Sequence, residues 1–248
     1  MRGWPDYTNV TALVDNYDEF GQNYPVGGGD IAARLGSIKT YDMRGRVYWM
    51  DDFEAAVLKW KTFGLGAGGS QALTTDYARN GNQSVKLTSN IGPPNISSIR
   101  HEIALPRNVK MGFEVHISMA AGFNLMDIEA LLADGSTISH ATVRIDEVTN
   151  QLLYLDEHDI FVDTGLDLCL STYEDHFHAI KLVWDYETDE WLRIMYDHQE
   201  LNLHRAAMRN NAWFFWPAAT LSISNYGDNV NNVPVYVDDA ILTVMEPE

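Results

Sequence analysis

The chain has 248 residues, 46% of them apolar, which is enough to bury one sizeable core within the length range where all-β sandwiches run as single domains. Its 17 basic against 35 acidic residues leave a formal charge of −18, a surface that repels a phosphate backbone or an anionic bilayer, so nucleic acid and membrane insertion are excluded as expectations. A single cysteine rules out an intrachain disulfide and a thiolate metal cluster, while the surplus carboxylates leave oxygen ligands for a hard cation such as Ca2+.

Residues 1–45 carry Asn, Asp, Tyr and Gly in no sustained period, including Pro25-Val26-Gly27-Gly28-Gly29, and read as an N-terminal arm. Met1-Arg2-Gly3-Trp4-Pro5-Asp6 has no basic region followed by an apolar run and does not read as a secretory signal. Within the arm, Asp30 can cap a short helix, Ile31-Ala32-Ala33-Arg34-Leu35, that leaves through Gly36. Such a helix has little apolar surface of its own, so it is expected to dock on the body or on a neighbouring subunit of a homo-oligomer.

From Arg46 onward, residues 46–248 read as one domain with strand periodicity. Gly64 to Gly69 lacks the lysine and the strand-to-helix context of a phosphate loop and reads as a flexible connection. Phe113, Val115, Ile117 and Met119 alternate with Glu114, His116 and Ser118, one buried face against one wet face. Similar runs follow at Ser84–Leu87, Ala141–Ile145, Leu152–Leu155, Leu192–Tyr196, Leu221–Ile223 and Pro234–Val244. Turn signals separate them at Arg79-Asn80-Gly81-Asn82, Ala133-Asp134-Gly135-Ser136, Glu187-Thr188-Asp189 and Tyr226-Gly227-Asp228. Phe177 to Leu203 is the clearest hairpin, with Ile180, Leu182 and Trp184 on one face and Leu192, Ile194 and Tyr196 returning. The expected fold class is an all-β, two-sheet antiparallel sandwich with an irregular N-terminal arm. Trp49, Trp60 and Trp184 lie in strand patterns and are expected to anchor its core, and Cys169, between Leu168 and Leu170, reads as a small inert filler.

Three separated pieces carry a resemblance. Asp51-Asp52-Phe53-Glu54 with Trp60, then Ala78 to Leu87, and finally Val235 to Leu242 resemble the opening, second and closing strands of carbohydrate-binding jelly rolls. His178 to Asp185 through Glu200 is similar to the hairpin of concanavalin A-like, laminin-G-type domains. Together the pieces cover residues 50 to 244. The resemblance implies a jelly roll in which a structural Ca2+ ties the opening strand to the closing one, and it nominates Glu54 and Asp239, with Asp52 and Asp238 as substitutes. It also implies possible glycan ligands and a lectin-like role, including that of a virion-associated member.

A glycoside hydrolase on the same fold would need two facing carboxylates, about 5 Å apart for retaining cleavage. The nearest match to a Glu-x-Asp-x-Glu strand is Leu125-Met126-Asp127-Ile128-Glu129, and an alkyl side chain at the nucleophile position, Leu125, cannot form a glycosyl ester. Asp127 and Glu129 read instead as one polar strand face that could hold sugar hydroxyls. His176 and His178, two apart, lack a third ligand of telling spacing for zinc, and no Gly-x-Ser-x-Gly elbow occurs. In Trp213-Phe214-Phe215-Trp216 alternation sends one pair inward, so Trp213 and Trp216 are candidates for a glycan platform or a subunit contact. The reading is of a non-catalytic lectin-like sandwich, a virion or particle-surface decoration or adhesion protein whose arm reaches other protein subunits, located outside a cell or on a virion. A carbohydrate-binding module or a sugar-active enzyme is the alternative.

Overall fold

The computed structural model describes residues 42, 44–65, 69–89, 95–104, 110–119, 122–171, 173–212, 218–227 and 233–248. The expected short helix at 31–35, and both Trp213 and Trp216, lie outside these residues. In chain order the described strands are β1 (Arg46–Asp51), β2 (Lys61–Leu65), β3 (Ser70–Thr74), β4 (Ser84–Thr88), β5 (Ile96–Ile103), β6 (Lys110–Met119), β7 (Leu125–Ala133), β8 (Thr137–Asp146), β9 (Gln151–Leu155), β10 (Phe161–Asp163), β11 (His178–Asp185), β12 (Glu190–Tyr196), β13 (Gln199–Ala207), β14 (Arg209–Ala212), β15 (Ala218–Tyr226) and β16 (Pro234–Val244). Among the described residues there is no helix, hence none long and apolar enough to cross a membrane.

The strands form two antiparallel sheets. The first runs β13-β12-β11-β6-β16-β4-β3, with β1 pairing the C-terminal half of β16 where β4 has ended. The second runs β10-β9-β8-β7-β15-β5-β2, with β14 on the edge of β8. Alternation decides which side chains meet between the sheets. Phe113, Val115 and Ile117 from β6, Leu182 and Trp184 from β11, and Val235, Val237 and Leu242 from β16 face Met126, Ile128, Val143, Leu221 and Ile223 of the second sheet in one continuous buried core. Trp60 and Trp184 are buried there and Trp49 packs against it, as expected of anchors.

Two local irregularities re-aim side chains. In the hairpin of β11 and β12 the register shifts beyond Val183, so Trp191 rather than Leu192 lies opposite Trp184 and joins the core. In β16 a shift between Asp238 and Ile241 inserts an extra residue, and Asp239 adopts φ 48°. The turn before β8 follows its sequence signal: Asp134 Oδ1 accepts from the backbone N–H groups of Ser136 and Thr137, and Gly135 takes φ 98°. Those amides hold the Asp134 carboxyl down at about 2. Two expectations change. Gly64 belongs to β2 instead of a loop, and Cys169 is exposed between Leu168, which is in the core, and Leu170, which packs against it, leaving the thiol 3.7 Å from Asp167 Oδ2.

Candidate functional site on the second sheet

The outward faces of the two sheets differ, and the difference locates the candidate site. On the first sheet the outward positions of β6, β11, β12 and β16 mix the buried polar or small residues Gly112, Glu114, His116, Lys181, Arg193, Asp238 and Thr243 with the apolar Val183 and Ile241 and the ring of Tyr236, which are buried too. Both ends of the sandwich chain contribute to that closure. Lys181 Nζ donates to Asp42 Oδ2 at 2.9 Å and stands 2.7 Å from Glu246 Oε1, while Arg193 bridges Glu246 Oε2 at 2.5 Å and the Pro247 carbonyl. Asp42 and Arg44, which the sequence places in the arm, are thus packed on the sandwich, with Arg44 reaching Glu200 of β13. Burial opposes ionisation of Asp42, but Lys181 and Arg44 outweigh it and hold the carboxyl well below the usual range.

The second sheet presents an outward face that is partly exposed: Lys61, Phe63, Arg100 and Asp163 are exposed, while Ser98, Ser222, Asp127 and Thr142 are buried. Because its strands are in register, side chains line up in rows across it. One row reads Phe63, Ser98, Ser224, Asp127, Arg144, Leu153 and Asp163, and its neighbour reads Lys61, Arg100, Ser222, Glu129 and Thr142. Asp127 and Glu129 therefore share one face, two residues apart on β7, with Leu125 beside them opposite Tyr226 and Asp146. Arg144 grips Asp127 through two parallel bonds, Nε to Oδ1 at 2.7 Å and Nη2 to Oδ2 at 2.8 Å, and its guanidinium lies 3.9 Å over the Phe161 ring. Those bonds raise the guanidinium pKa, and burial with the adjacent Asp127 raises that of the Tyr226 phenol. Glu129 Oε1 accepts from Thr142 Oγ1 at 3.2 Å and lies 3.7 Å from His140 Nδ1. With Asp127 tied to Arg144 and Leu125 in line with both acids, the strand has no free pair of facing carboxylates. Arg144, Phe161, Tyr226, Ser222 and Ser224 went unnoticed in the sequence, because only register across five strands brings them beside Asp127.

Three of the four carboxylates nominated for calcium meet at the turn 79–83. Glu54 Oε1 accepts from the amides of Asn82 and Gln83 at 2.7 and 2.8 Å. Asp238 Oδ2 accepts from those of Arg79 and Asn80 at 2.8 and 3.2 Å, and Asp239 Oδ2 from Arg79 Nη1 and Asn80 Nδ2 at 2.7 and 2.6 Å. Asp52 caps the amide of Glu54 at 3.2 Å. Gly81, at φ 64°, lies directly against the Glu54 carboxylate, so a side chain there would displace it. Burial and the neighbouring Asp239 push the Asp238 carboxyl up to about 7. Asp239 Oδ1 is buried with no hydrogen-bond partner, which fits an oxygen able to face a cation. Among the described residues no three His, Cys, Asp or Glu side chains converge as a metal-ligating group, so a cation here would take most of its oxygens from backbone carbonyls.

The two histidines serve structure. His178 Nδ1 pairs with Asp197 Oδ2 at 2.7 Å, Nε2 accepts from the Ser171 amide at 3.3 Å, and the ring stacks on Tyr196. An amide donating to Nε2 fixes the proton on Nδ1 and leaves neither nitrogen for a metal. His176 contacts the His178 ring edge from an exposed turn.

No protein-family profile and no curated protein sequence matches the chain. Solved structures do. The endo-β-1,4-glucuronan lyase of the fungus Trichoderma reesei superposes with a TM-score of 0.56 at 12% identity, over 82% of this chain and 99% of that one. A β-1,3-1,4-glucanase (lichenase) derived from a mouse hindgut metagenome gives 0.47 at 12% identity over 79% and 98%, and the carbohydrate recognition domain of Emp47p gives 0.46 at 12% identity over 83% and 99%. At such identities the likeness is one of fold. With two antiparallel eight-stranded sheets packed face to face and strands β1 and β16 paired, the chain has a jelly-roll β-sandwich fold.

Proposed function

We propose that this chain binds carbohydrate on the outward face of its second sheet and does not cleave it. One observation carries the reading: Phe161, Tyr226 and the Arg144–Asp127 pair stand together on the outward side of the sheet, with Glu129 in the next row. Aromatic rings present π faces to the C–H face of a pyranose, and a preorganised guanidinium–carboxylate pair offers both donors and acceptors to hydroxyls. The first sheet is less suited, since much of its outward side is taken up by the protein's own buried charges. Absence of cleavage rests on Leu125, which contributes no nucleophile, and on Asp127, which is engaged by Arg144.

A sugar-active enzyme is the second reading. It is favoured by Tyr226, whose phenol ring lies 5.9 Å from the Arg144 guanidinium, an arrangement able to place a proton donor beside an anion-stabilising cation. One experiment separates the two. Purified full chain is titrated with neutral and acidic polysaccharides, and the same mixtures are assayed for new chain ends. Saturable binding without new ends, weakened about tenfold by Phe161→Ala or Tyr226→Ala, supports the binding protein. New ends that vanish with Tyr226→Phe overturn it in favour of the enzyme, and no binding to any polysaccharide overturns both. Attachment to a particle or cell surface through the arm, outside a cell, extends the first reading to a decoration or adhesion role.

A further inference from the structure

The row geometry of the second sheet identifies which carbohydrate would fit, and this inference rests on the reading that the face binds sugar. At its centre the outward side chains are short: Ser98 on β5 and Ser222 and Ser224 on β15, with Ser224 Oγ donating to Ser98 Oγ at 2.9 Å. Longer side chains rise on either side. Arg100 and Phe63 stand on β5 and β2, and Asp127 and Glu129 on β7. Tyr226 closes one end, two positions beyond Ser224 on the same face. Ser98 and Ser222 are 2% and 3% exposed although they point outward, which is what the floor of a trough between taller neighbours looks like. From β2 to β7 the trough spans three strand intervals, about 14 Å at the usual spacing, wide enough for a single saccharide chain lying along the strands.

The charges of this trough are unevenly spent. Lys61 is paired with Glu102 at 2.8 Å and Arg144 with Asp127. Among the described residues no ion pair or hydrogen bond engages the Arg100 guanidinium, which is exposed and lies in the row of Ser222 and Glu129. In a chain with about two acids for each base, a guanidinium left without an acid on a hydroxyl-floored trough is a site for an anion supplied from outside. A planar guanidinium is matched to a carboxylate by two parallel bonds.

We propose that the trough binds an acidic polysaccharide bearing carboxylates on its sugar rings, with Arg100 taking the carboxylate, Ser222, Ser224 and Glu129 taking ring hydroxyls, and Phe63 supporting a ring face. The face as a whole carries both signs, so a neutral chain would leave Arg100 unmatched, while a densely sulfated one would meet Asp127 and Glu129. The acidic character of the rest of the surface makes this binding short-ranged and dependent on the direct contact.

The test uses the full chain and three probes: a polyuronate, the same polymer after carboxyl reduction to the neutral form, and a neutral β-glucan. The polyuronate should bind at least tenfold more tightly than its reduced form, and Arg100→Met should remove that preference while Arg100→Lys keeps part of it. Arg100 is exposed, so the melting temperature of Arg100→Met should match the parent and show that the fold is intact. Equal binding of the polyuronate and its reduced form, or an unaltered preference in Arg100→Met, overturns the acidic assignment while leaving the sugar-binding face in place. Failure of all three probes overturns the face itself.

Discussion

Replacing Lys181 by Met tests the closure of the first sheet. Lys181 is 2% exposed and lies between Asp42 and Glu246, themselves buried, with Arg193 as the second buried cation of the set. Within this set two buried acids and two buried bases balance, and Glu114, also buried, lies opposite Lys181 on the neighbouring strand. A methionine of similar volume removes one charge and leaves two carboxylates sharing a single guanidinium, apart from the partly exposed Arg44 on Asp42. Removing one partner of a buried ion pair costs about 3–5 kcal/mol. For a domain of this length each kcal/mol moves the midpoint by about 2–4 °C, so a loss of roughly 6–20 °C follows. Thermal melts by circular dichroism at neutral pH measure it. A double variant, Lys181→Met with Glu246→Gln, should lose less than the two single losses combined, because the second change removes a charge that the first left stranded. The pH dependence has a definite sign. The Asp42 carboxyl is held below its ordinary 3.8 in the folded protein, so its contribution is complete above about pH 4 and disappears as pH falls further. The parent should lose stability on acidification over that range, and Lys181→Met, whose Asp42 is less depressed, should lose less. A variant melting within about 2 °C of the parent, or strictly additive single losses, refutes the ion network as a structural element.

Two further outcomes are expected. If a cation sits at the Glu54, Asp238 and Asp239 knot, adding Ca2+ to chelator-treated protein should raise the midpoint by several degrees through preferential binding to the folded state, and Asp239→Asn should abolish the rise; an unchanged melt removes calcium from the description. Deleting residues 1–40 spares Asp42 and should leave the melt within a few degrees of the parent, whereas light-scattering mass should fall if the arm joins subunits; unchanged mass refutes an assembly role for the arm.

The sandwich was legible because its evidence is local. Alternation in Phe113 to Met119 and the turn residues at Asp134 and Gly135 act within a few positions, and β6 and the turn before β8 follow them. The pairing of the first and last strands was legible through motif order, as β1 and β16 pair from Arg46 with Val244 to Asp51 with Ala240. The site was half legible. That Asp127 and Glu129 share a face follows from their spacing, but their partners sit 11 to 99 residues away and are fixed by register, which no periodicity encodes. Asp42 shows a contact no periodicity could signal: it lies in a stretch of sequence with no sustained period, yet it is anchored by charge to Lys181, 139 residues on.

The two outward faces together explain why an acidic chain can still offer a site for an acidic ligand. The first sheet buries Lys181 and Arg193 and matches them with Asp42 and Glu246, so those cations contribute nothing to the surface potential. On the second sheet Arg144 is likewise matched, by Asp127, but at the surface, where its work is to hold Asp127 and stack on Phe161. Arg100 lies two strands from Asp127 across the serine floor and has no such partner among the described residues. With net repulsion at long range and one unmatched guanidinium at contact, association would be slow and selective, decided by the fit of a carboxylate in the trough more than by attraction from a distance. Raising ionic strength screens the long-range repulsion before it breaks a close guanidinium–carboxylate contact. Moderate salt should therefore accelerate association of a polyuronate with this face, the reverse of what a basic, electrostatically steered surface would do.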